Sequence, residues 1–155
     1  MPRAGVATER YCLVHGYPNY VIVLDAATGN KRWKEDVGGD IEDIRVFGET
    51  LYLATGEGFA AYSLSDGSVD WERDISGRMA VADADTADIT SIYVGGVDGS
   101  IYSLNAANGS TNWAISPSAA GSQDDGARIE HADDRLVSQK GRTVYGLQPS
   151  DGTEQ

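Results

Sequence analysis

The chain has 155 residues, of which 41% are hydrophobic, and this composition is typical of a globular protein long enough for one domain. The 24 acidic residues outnumber the 12 basic ones, and the net charge of −12 disfavours nucleic acid and anionic lipid as partners, because both are bound through cationic contacts. No apolar run reaches the roughly 18 residues of a membrane span, and the N-terminal residues of this chain lack the apolar stretch of a signal peptide.

The predicted strands come in groups of four, and the first group lies near residues 4–7, 11–16, 19–24 and 30–35. Its two central strands recur as apolar runs separated by a turn, which is a hairpin pattern. The hairpins span residues 12–24, 52–64, 92–104 and 135–147, and they end at Leu24, Leu64, Leu104 and Leu147, spaced 40, 40 and 43 residues apart. Gly16, Gly56 and Gly96 share one column of this alignment, where a turn or bend would tolerate positive φ.

Four strands in a period near 40 residues are typical of β-propeller blades. We therefore predict an all-β fold, a β-propeller of four-stranded antiparallel blades in a single domain spanning residues 1–155. The blades are expected at about 4–36, 43–75, 80–115 and 127–155, and residues 117–127 should form the longest irregular connection. The last blade lacks its outer strand, so the sequence indicates a partial propeller, open or half of a ring.

A second turn follows each hairpin and contains a glycine at a fixed place. These glycines are Gly29, Gly67, Gly109 and Gly152. The three tryptophans of the chain, Trp33, Trp71 and Trp113, each lie four residues after such a glycine. Large aromatic residues that recur once per unit suit the contact between neighbouring blades, so we expect all three to be largely buried.

The stretch "VLDAATGNKRW" at residues 23–33 resembles the tryptophan-docking motif of the PQQ-like, quinoprotein-type propeller repeats. The resemblance implies that Gly29 forms the turn and that Trp33 docks onto a peptide plane of the next blade, with the same roles for Gly67 and Trp71 and for Gly109 and Trp113. The small residue that the family prefers at the first position of the motif is aligned with Val23, Ser63, Ser103 and Gly146, never with alanine, and the turn of the second blade is two residues short in this alignment.

The quinoprotein dehydrogenases that share these repeats hold PQQ with calcium and carry a vicinal cysteine pair. This chain has one cysteine, Cys12, which also excludes an intrachain disulfide, so we expect no quinone cofactor. Asp83, Asp85 and Asp88 form an oxygen-rich stretch and are the best metal candidates. They do not match an EF-hand loop, because Asp88 and Val94 occupy its sixth and twelfth positions, and a solvated acidic loop is the favoured interpretation.

No catalytic motif emerges, and we expect a non-catalytic scaffold for protein or ligand interaction that resembles the outer-membrane assembly proteins of the BamB type. A fragment of a PQQ-dependent dehydrogenase is the alternative, and the resemblance favours an extracytoplasmic or cell-surface location. The expected partner is another protein, further propeller blades, or a second copy that completes the ring. The 16 aspartates and only three lysines also resemble the surfaces of halophile proteins, so we expect a halophilic character.

Binding surfaces on repeat folds are built by the connections, because the strand positions are used for packing. The least repetitive connections are residues 37–43, 76–88 and 117–127, and we predict that they gather on one face that attracts a cationic partner. The acidic residues of that predicted face are Asp40, Glu42, Asp43, Asp83, Asp85, Asp88, Asp124 and Asp125.

Overall fold

The computed structural model describes residues 8–16, 19–81, 89–116, 128–132, 135–140 and 143–154. Within these ranges every regular element is a β-strand, and no helix occurs. The chain divides into two compact units, which we call unit 1 (Met1–Asp74) and unit 2 (Ile75–Gln155), and each unit contains two antiparallel sheets.

Unit 1 holds sheets 1 and 2, whose strands follow one another in chain order. Sheet 1 consists of β1 (Tyr11–Gly16), β2 (Tyr20–Asp25) and β3 (Lys31–Asp36), and sheet 2 consists of β4 (Ile41–Phe47), β5 (Thr50–Thr55), β6 (Phe59–Ser63) and β7 (Val69–Arg73). The inner strand predicted near residues 4–7 lies outside the described residues. The two sheets share one buried apolar cluster, whose members are Tyr11, Leu13, Val21, Val23, Trp33, Leu51, Leu53, Tyr62 and Leu64.

Unit 2 holds sheets 3 and 4 in the same strand order. Sheet 3 consists of β8 (Gly77–Val81), β9 (Ser91–Gly96), β10 (Ile101–Asn105) and β11 (Thr111–Ile115), and sheet 4 consists of β12 (Arg128–Ala132), β13 (Arg135–Lys140) and β14 (Thr143–Leu147). After β14, a single antiparallel bridge joins Leu147 to Glu154. The predicted connection at 117–127 lies outside the described residues. The prediction of an all-β partial propeller built from antiparallel blades is confirmed.

The register of the strands corrects the alignment of the second hairpin. A β-bulge follows Val23 in sheet 1, Ala61 in sheet 2 and Ser103 in sheet 3, and each of these residues pairs with a tryptophan of the next strand. Tyr62, rather than Leu64, therefore corresponds to Leu24, and the second turn has the same length as the others. The first position of the tryptophan-docking motif, which the sequence alignment assigned to Ser63, is therefore Ala61 in sheet 2, and it is an alanine there. Leu64 was aligned with Leu24 and Leu104 because it lies 40 residues from each of them.

The glycines at positions 16, 56 and 96 do not use the positive φ that a glycine tolerates. Gly16 still pairs with Tyr20, and Gly96 pairs with Gly77, so both remain in the extended backbone of a ladder. The positive φ values of the repeat occur instead at the second turn.

Candidate functional site

One turn geometry occurs in all four sheets, after β2, β6, β10 and β14. Its glycine has a φ of 71° at Gly29, 78° at Gly67, 69° at Gly109 and 73° at Gly152. In each turn the glycine N–H donates to the carbonyl four residues earlier, over 2.8–2.9 Å. The residue before the glycine accepts a hydrogen bond through its side-chain oxygen from the N–H that follows the glycine. These acceptors are Thr28, Asp66, Asn108 and Asp151. The shared turn follows directly from this local sequence.

The carboxylates in these turns are held in their charged form. Arg32 donates to Asp25 Oδ2 over 2.8 Å, and this bond, followed by those from Thr28, lowers the pKa of Asp25 to about 2. Hydrogen bonds from the backbone N–H and the hydroxyl of Ser68 and of Thr153 likewise lower the pKa values of Asp66 and Asp151. The acidic turn residues therefore serve the backbone of their own turns.

The side chain of Trp33 lies on the turn that follows β6. Its indole Nε1–H donates to the carbonyl oxygen of Leu64 over 2.9 Å. A Cβ added at Gly67 would lie 2.8 Å from Cδ2 of the indole, so only a glycine lets the ring approach this closely. Trp33 is 9% exposed. We call this arrangement of indole, carbonyl and glycine a tryptophan clasp.

A second clasp forms in unit 2. The Nε1–H of Trp113 donates to the carbonyl oxygen of Pro149 over 2.9 Å, and a Cβ added at Gly152 would lie 2.8 Å from Cε3 of the ring. The hydroxyl of Tyr93 donates to the same carbonyl over 3.2 Å. Trp113 is partly buried and packs against the apolar cluster of unit 2, whose members include Tyr93 and Tyr145.

Trp71 lies on β7 at the position that corresponds to Trp33 and Trp113. It is 9% exposed, and its ring packs within unit 1 against Phe59 and Tyr52, with centroids 5.6 Å and 6.1 Å away.

The predicted metal and cofactor residues gain no support from the described residues. Asp83, Asp85 and Asp88 lie outside them. Within the described ranges no three His, Cys, Asp or Glu side chains come together in a group that could hold a metal ion. Cys12 is half-buried in β1, and the chain has no second cysteine for the vicinal pair of a quinoprotein dehydrogenase. Among the described residues, the side chains therefore show no site for PQQ with calcium.

The prediction that one face gathers three acidic connections is wrong for residues 76–88. That stretch contains β8, so Asp83, Asp85 and Asp88 lie between the first and second strands of sheet 3 rather than before the sheet. The connection that leads into β8 and the connection that leaves it are at opposite ends of the strand, so they cannot lie on the same face. Glu42 and Asp43 also belong to a strand, β4, and not to a connection. Asp124 and Asp125 lie outside the described residues.

An open groove of about 290 Å³ lies within unit 1, at the end of sheet 2 where β5 and β7 finish and β6 begins. The connection from sheet 1 reaches the same end, because the N–H of Gly56 donates to the carbonyl of Asp40 over 3.0 Å. The groove is lined by Val37, Leu53, Thr55, Glu57, Gly58, Phe59, Ala60, Tyr62, Glu72, Arg73 and Asp74. Its buried floor is largely apolar, and its exposed rim carries three carboxylates and one guanidinium.

Ala60 contributes a small side chain to the lining of the groove. Leu53, Ala60 and Glu72 are direct cross-strand neighbours on one face of sheet 2. The residues that correspond to Ala60, immediately before the bulge position, are Ile22 in sheet 1, Tyr102 in sheet 3 and Tyr145 in sheet 4. Sheet 2 alone has a methyl group where the other sheets have a large side chain.

Tyr62 contributes a phenol to the groove. The residue is 8% exposed and is one of the lining residues. Burial raises the pKa of Tyr62, and the negative charges of Glu35 and Glu72 raise it further. The hydroxyl therefore stays neutral, in a strongly negative surrounding.

Sequence reasoning missed Glu57, Glu72 and Asp74 because it searched the connections between blades. The sequence did contain a signal for them. Glu57 lies shortly before the strand "FAAYS", Glu72 lies near the end of the strand "VDWER", and Asp74 follows that strand. The two strands are neighbours in an antiparallel sheet, so these ends meet. The corrected register would also have shown Ala60 in a column of large residues.

Comparison with known proteins identifies the fold. Residues 2–154 match the family described as outer membrane protein assembly factor BamB. The structure of BamB from Moraxella catarrhalis superposes with a TM-score of 0.74 at 18% identity, covering 94% of this chain and 48% of that one. A europium-containing methanol dehydrogenase gives 0.73 at 13% identity, covering 99% of this chain and 41% of that one. This chain thus spans about half the length of either protein.

The computationally designed protein Ika4 is similar over nearly its whole length. Its TM-score is 0.71 at 15% identity, and the alignment covers 96% of this chain and 91% of Ika4. Among curated proteins no match was found. None of the described residues belongs to a helix long and apolar enough to cross a membrane. At these identities the structural likeness establishes the fold, and function has to be argued from the groove.

Proposed function

The chain belongs to the family of PQQ-like β-propeller repeats of the BamB type, and we propose that it is a non-catalytic scaffold that binds a protein partner. The observation that carries the proposal is the groove at the end of sheet 2, with its apolar floor and its charged rim. Apolar surface supplies affinity, and a few charged groups supply orientation, which is the usual composition of a binding site. None of the eleven lining residues is a cysteine, histidine or lysine, so the groove offers no side chain of these types as a nucleophile or base.

We assign the repeated residues to the construction of the fold. Gly29, Gly67, Gly109 and Gly152 form the turns, and Trp33, Trp71 and Trp113 pack the sheets. A residue that recurs at the same position in several sheets has a structural role that is common to all blades. Binding is then left to positions that differ between the blades, such as position 60.

We propose that the partner surface is cationic. The lining residues carry three carboxylates and one guanidinium, and the whole chain has a net charge of −12. Charges of opposite sign accelerate encounter and reject acidic competitors. The proposal also includes completion of the ring by further blades or by a second copy of this chain. Sedimentation equilibrium tests the second copy: a species of twice the chain mass is expected, and the chain mass at all concentrations would contradict it.

Site-specific photo-crosslinking in cells tests the scaffold role. A crosslinking residue replaces Glu57, at the groove, or Asp66, which is also exposed and lies in the turn at the other end of sheet 2. We expect one discrete cationic protein to be captured from position 57 and not from position 66. Equal capture from both positions would contradict the assignment of the groove. Reduction of an electron-accepting dye with an alcohol, PQQ and Ca²⁺ would replace the scaffold role by the dehydrogenase alternative.

A further inference from the structure

We infer that the groove at the end of sheet 2 binds an arginine side chain presented by a basic segment of the partner protein. The inference rests on the proposed binding role and specifies the chemistry of the partner at the same site. Three features of the groove carry it: its apolar floor, the balance of charge on its rim, and the phenol of Tyr62.

The floor suits the alkyl stem of the side chain. Leu53 and Phe59 are each 1% exposed, and Ala60 leaves open the space that an isoleucine or tyrosine fills in the other sheets. Long cationic side chains cover apolar surface with their methylene groups while the charged head stays near water. The groove offers this combination, with the floor inside and the carboxylates at its mouth.

The rim suits a guanidinium. Glu57, Glu72 and Asp74 are exposed carboxylates around the opening, and Arg73 is the one basic residue among the lining residues. The lining therefore has a net charge of −2, which a single bound cation reduces. Hydrogen bonds between a guanidinium and carboxylates are charge-assisted and about twice as strong as neutral ones.

Tyr62 supplies a hydrogen-bond acceptor at the groove. The residue is 8% exposed and lines the groove, so its phenol oxygen can accept from a ligand bound there. A guanidinium has five N–H donors and can serve the phenol oxygen together with carboxylates.

Arginine suits these acceptors better than lysine or a metal ion. The guanidinium is planar and more weakly hydrated than an ammonium group, and its donors point in several directions, as the spread of acceptors around the groove requires. A divalent cation needs oxygen ligands that converge on one point, and within the described ranges no group of three candidate ligands does so.

Filling the groove is the sharpest test. Ala60→Tyr introduces the residue that sheets 3 and 4 have at this position, and Ala60→Ile introduces the one in sheet 1, so both side chains are compatible with a blade. The probe is a blocked pentapeptide with one central arginine between two leucines, titrated calorimetrically into the full chain. Its partner probe has citrulline in place of arginine, which keeps the shape and removes the charge. We expect the citrulline peptide to bind about tenfold or more weakly.

Both groove-filling variants should weaken the arginine peptide by about tenfold or more, because the space for its stem is gone. Glu72→Gln and Tyr62→Phe should each weaken it severalfold. Asp70→Asn removes the same charge from an exposed position of the same strand that does not line the groove, and it should change the affinity less than about twofold. Thermal melts identify any variant that fails to fold. If one Ala60 variant does not fold, the other Ala60 variant and Tyr62→Phe test the inference.

The inference is overturned if a folded Ala60 variant binds the peptide as the parent does, or if the citrulline peptide binds equally well. Agmatine, a free alkyl guanidinium, binding as tightly as the peptide would also overturn it, since the ligand would then be a small molecule. If crosslinking at position 57 succeeds and the arginine peptide does not bind, the scaffold role stands and only the arginine assignment fails. Dye reduction together with peptide binding would remove the scaffold role and leave the groove assignment intact.

Discussion

The tryptophan clasp of unit 1 and that of unit 2 have the same hydrogen bond and different surroundings. Trp33 in unit 1 and Trp113 in unit 2 each donate over 2.9 Å to a carbonyl three residues before a glycine of positive φ. Trp33 is 9% exposed, whereas Trp113 is only partly buried. The clasp geometry is therefore set by a short local spacing, while its burial depends on the strands around it.

Truncation of the two tryptophans should separate these contributions and has the largest expected effect. Trp33→Ala should lower the free energy of unfolding by about 3–5 kcal/mol, as for other large buried aromatic residues. Trp113→Ala should cost roughly 2–3 kcal/mol, since less apolar surface is lost. Urea unfolding followed by circular dichroism measures both. Equal losses would mean that the clasp bond, and not burial, dominates the stability of both units.

The contribution of the clasp glycine to stability can be measured by comparison with a glycine in an equivalent turn. Gly29 is that control, because no tryptophan packs on it among the described contacts. Gly67 and Gly29 both have positive φ, but a Cβ at Gly67 would lie 2.8 Å from the Trp33 ring and a Cβ at Gly29 would meet nothing within 4 Å. Gly29→Ala should cost about 1–2 kcal/mol from the backbone alone. Gly67→Ala should cost about 1–3 kcal/mol more, because the ring must move. If both variants lose the same stability, the close approach of Trp33 is not rigid.

Salt should act on both units alike. Residues 1–74 contain 13 acidic and 7 basic residues, and residues 75–155 contain 11 and 5, so each unit has a net charge of −6. Screening of this repulsion should raise the melting temperature by several degrees between about 0.1 M and 2 M KCl. The stability difference between Trp33→Ala and Trp113→Ala should not change with salt. An unchanged melting temperature would contradict the expected halophilic character.

The smallest predicted effect concerns Asp25. Its pKa in the folded chain is lowered to about 2, first by the hydrogen bond from Arg32. A lowered pKa contributes stability above the ordinary value of about 4, and that contribution is lost as the pH falls towards 2. Asp25→Asn should therefore make the melting temperature less sensitive to pH in this window. Asp151→Asn is the matched variant in unit 2, where a backbone N–H and a hydroxyl hold the carboxylate. An unaltered pH profile in both variants would contradict the assignment.

The period and the turn chemistry made much of the fold predictable from the sequence. Glycine, a polar residue before it and a tryptophan four residues after it are local signals, and the structure has the same turn at Gly29, Gly67, Gly109 and Gly152. The same spacing also indicates the register of sheet 2, because Tyr62 lies five residues before Gly67, as Leu24 lies five residues before Gly29. An alignment made on leucines selects Leu64 instead, and the bulge after Ala61 identifies Tyr62 as the counterpart of Leu24.

The groove was harder to predict, because it depends on the lack of a large side chain at position 60. Ala60 is unremarkable in the sequence and becomes informative only beside Ile22, Tyr102 and Tyr145 in the correct register. Its rim comes from strand ends that are distant along the chain and meet through antiparallel pairing. The acidic composition of the connections favoured them as the binding face, but residues 76–88 contain the strand β8, which separates their aspartates from that face.

The central claim is that repeated residues build the sheets and that the position at which sheet 2 departs from the repeat binds the partner. Amide chemical-shift mapping by NMR, with the arginine peptide titrated into the full chain, tests it most directly. The account predicts shifts concentrated at residues 55–60 and 72–74, and their loss in Ala60→Tyr. Shifts centred on residues 82–88, or spread evenly over the acidic surface, would contradict it.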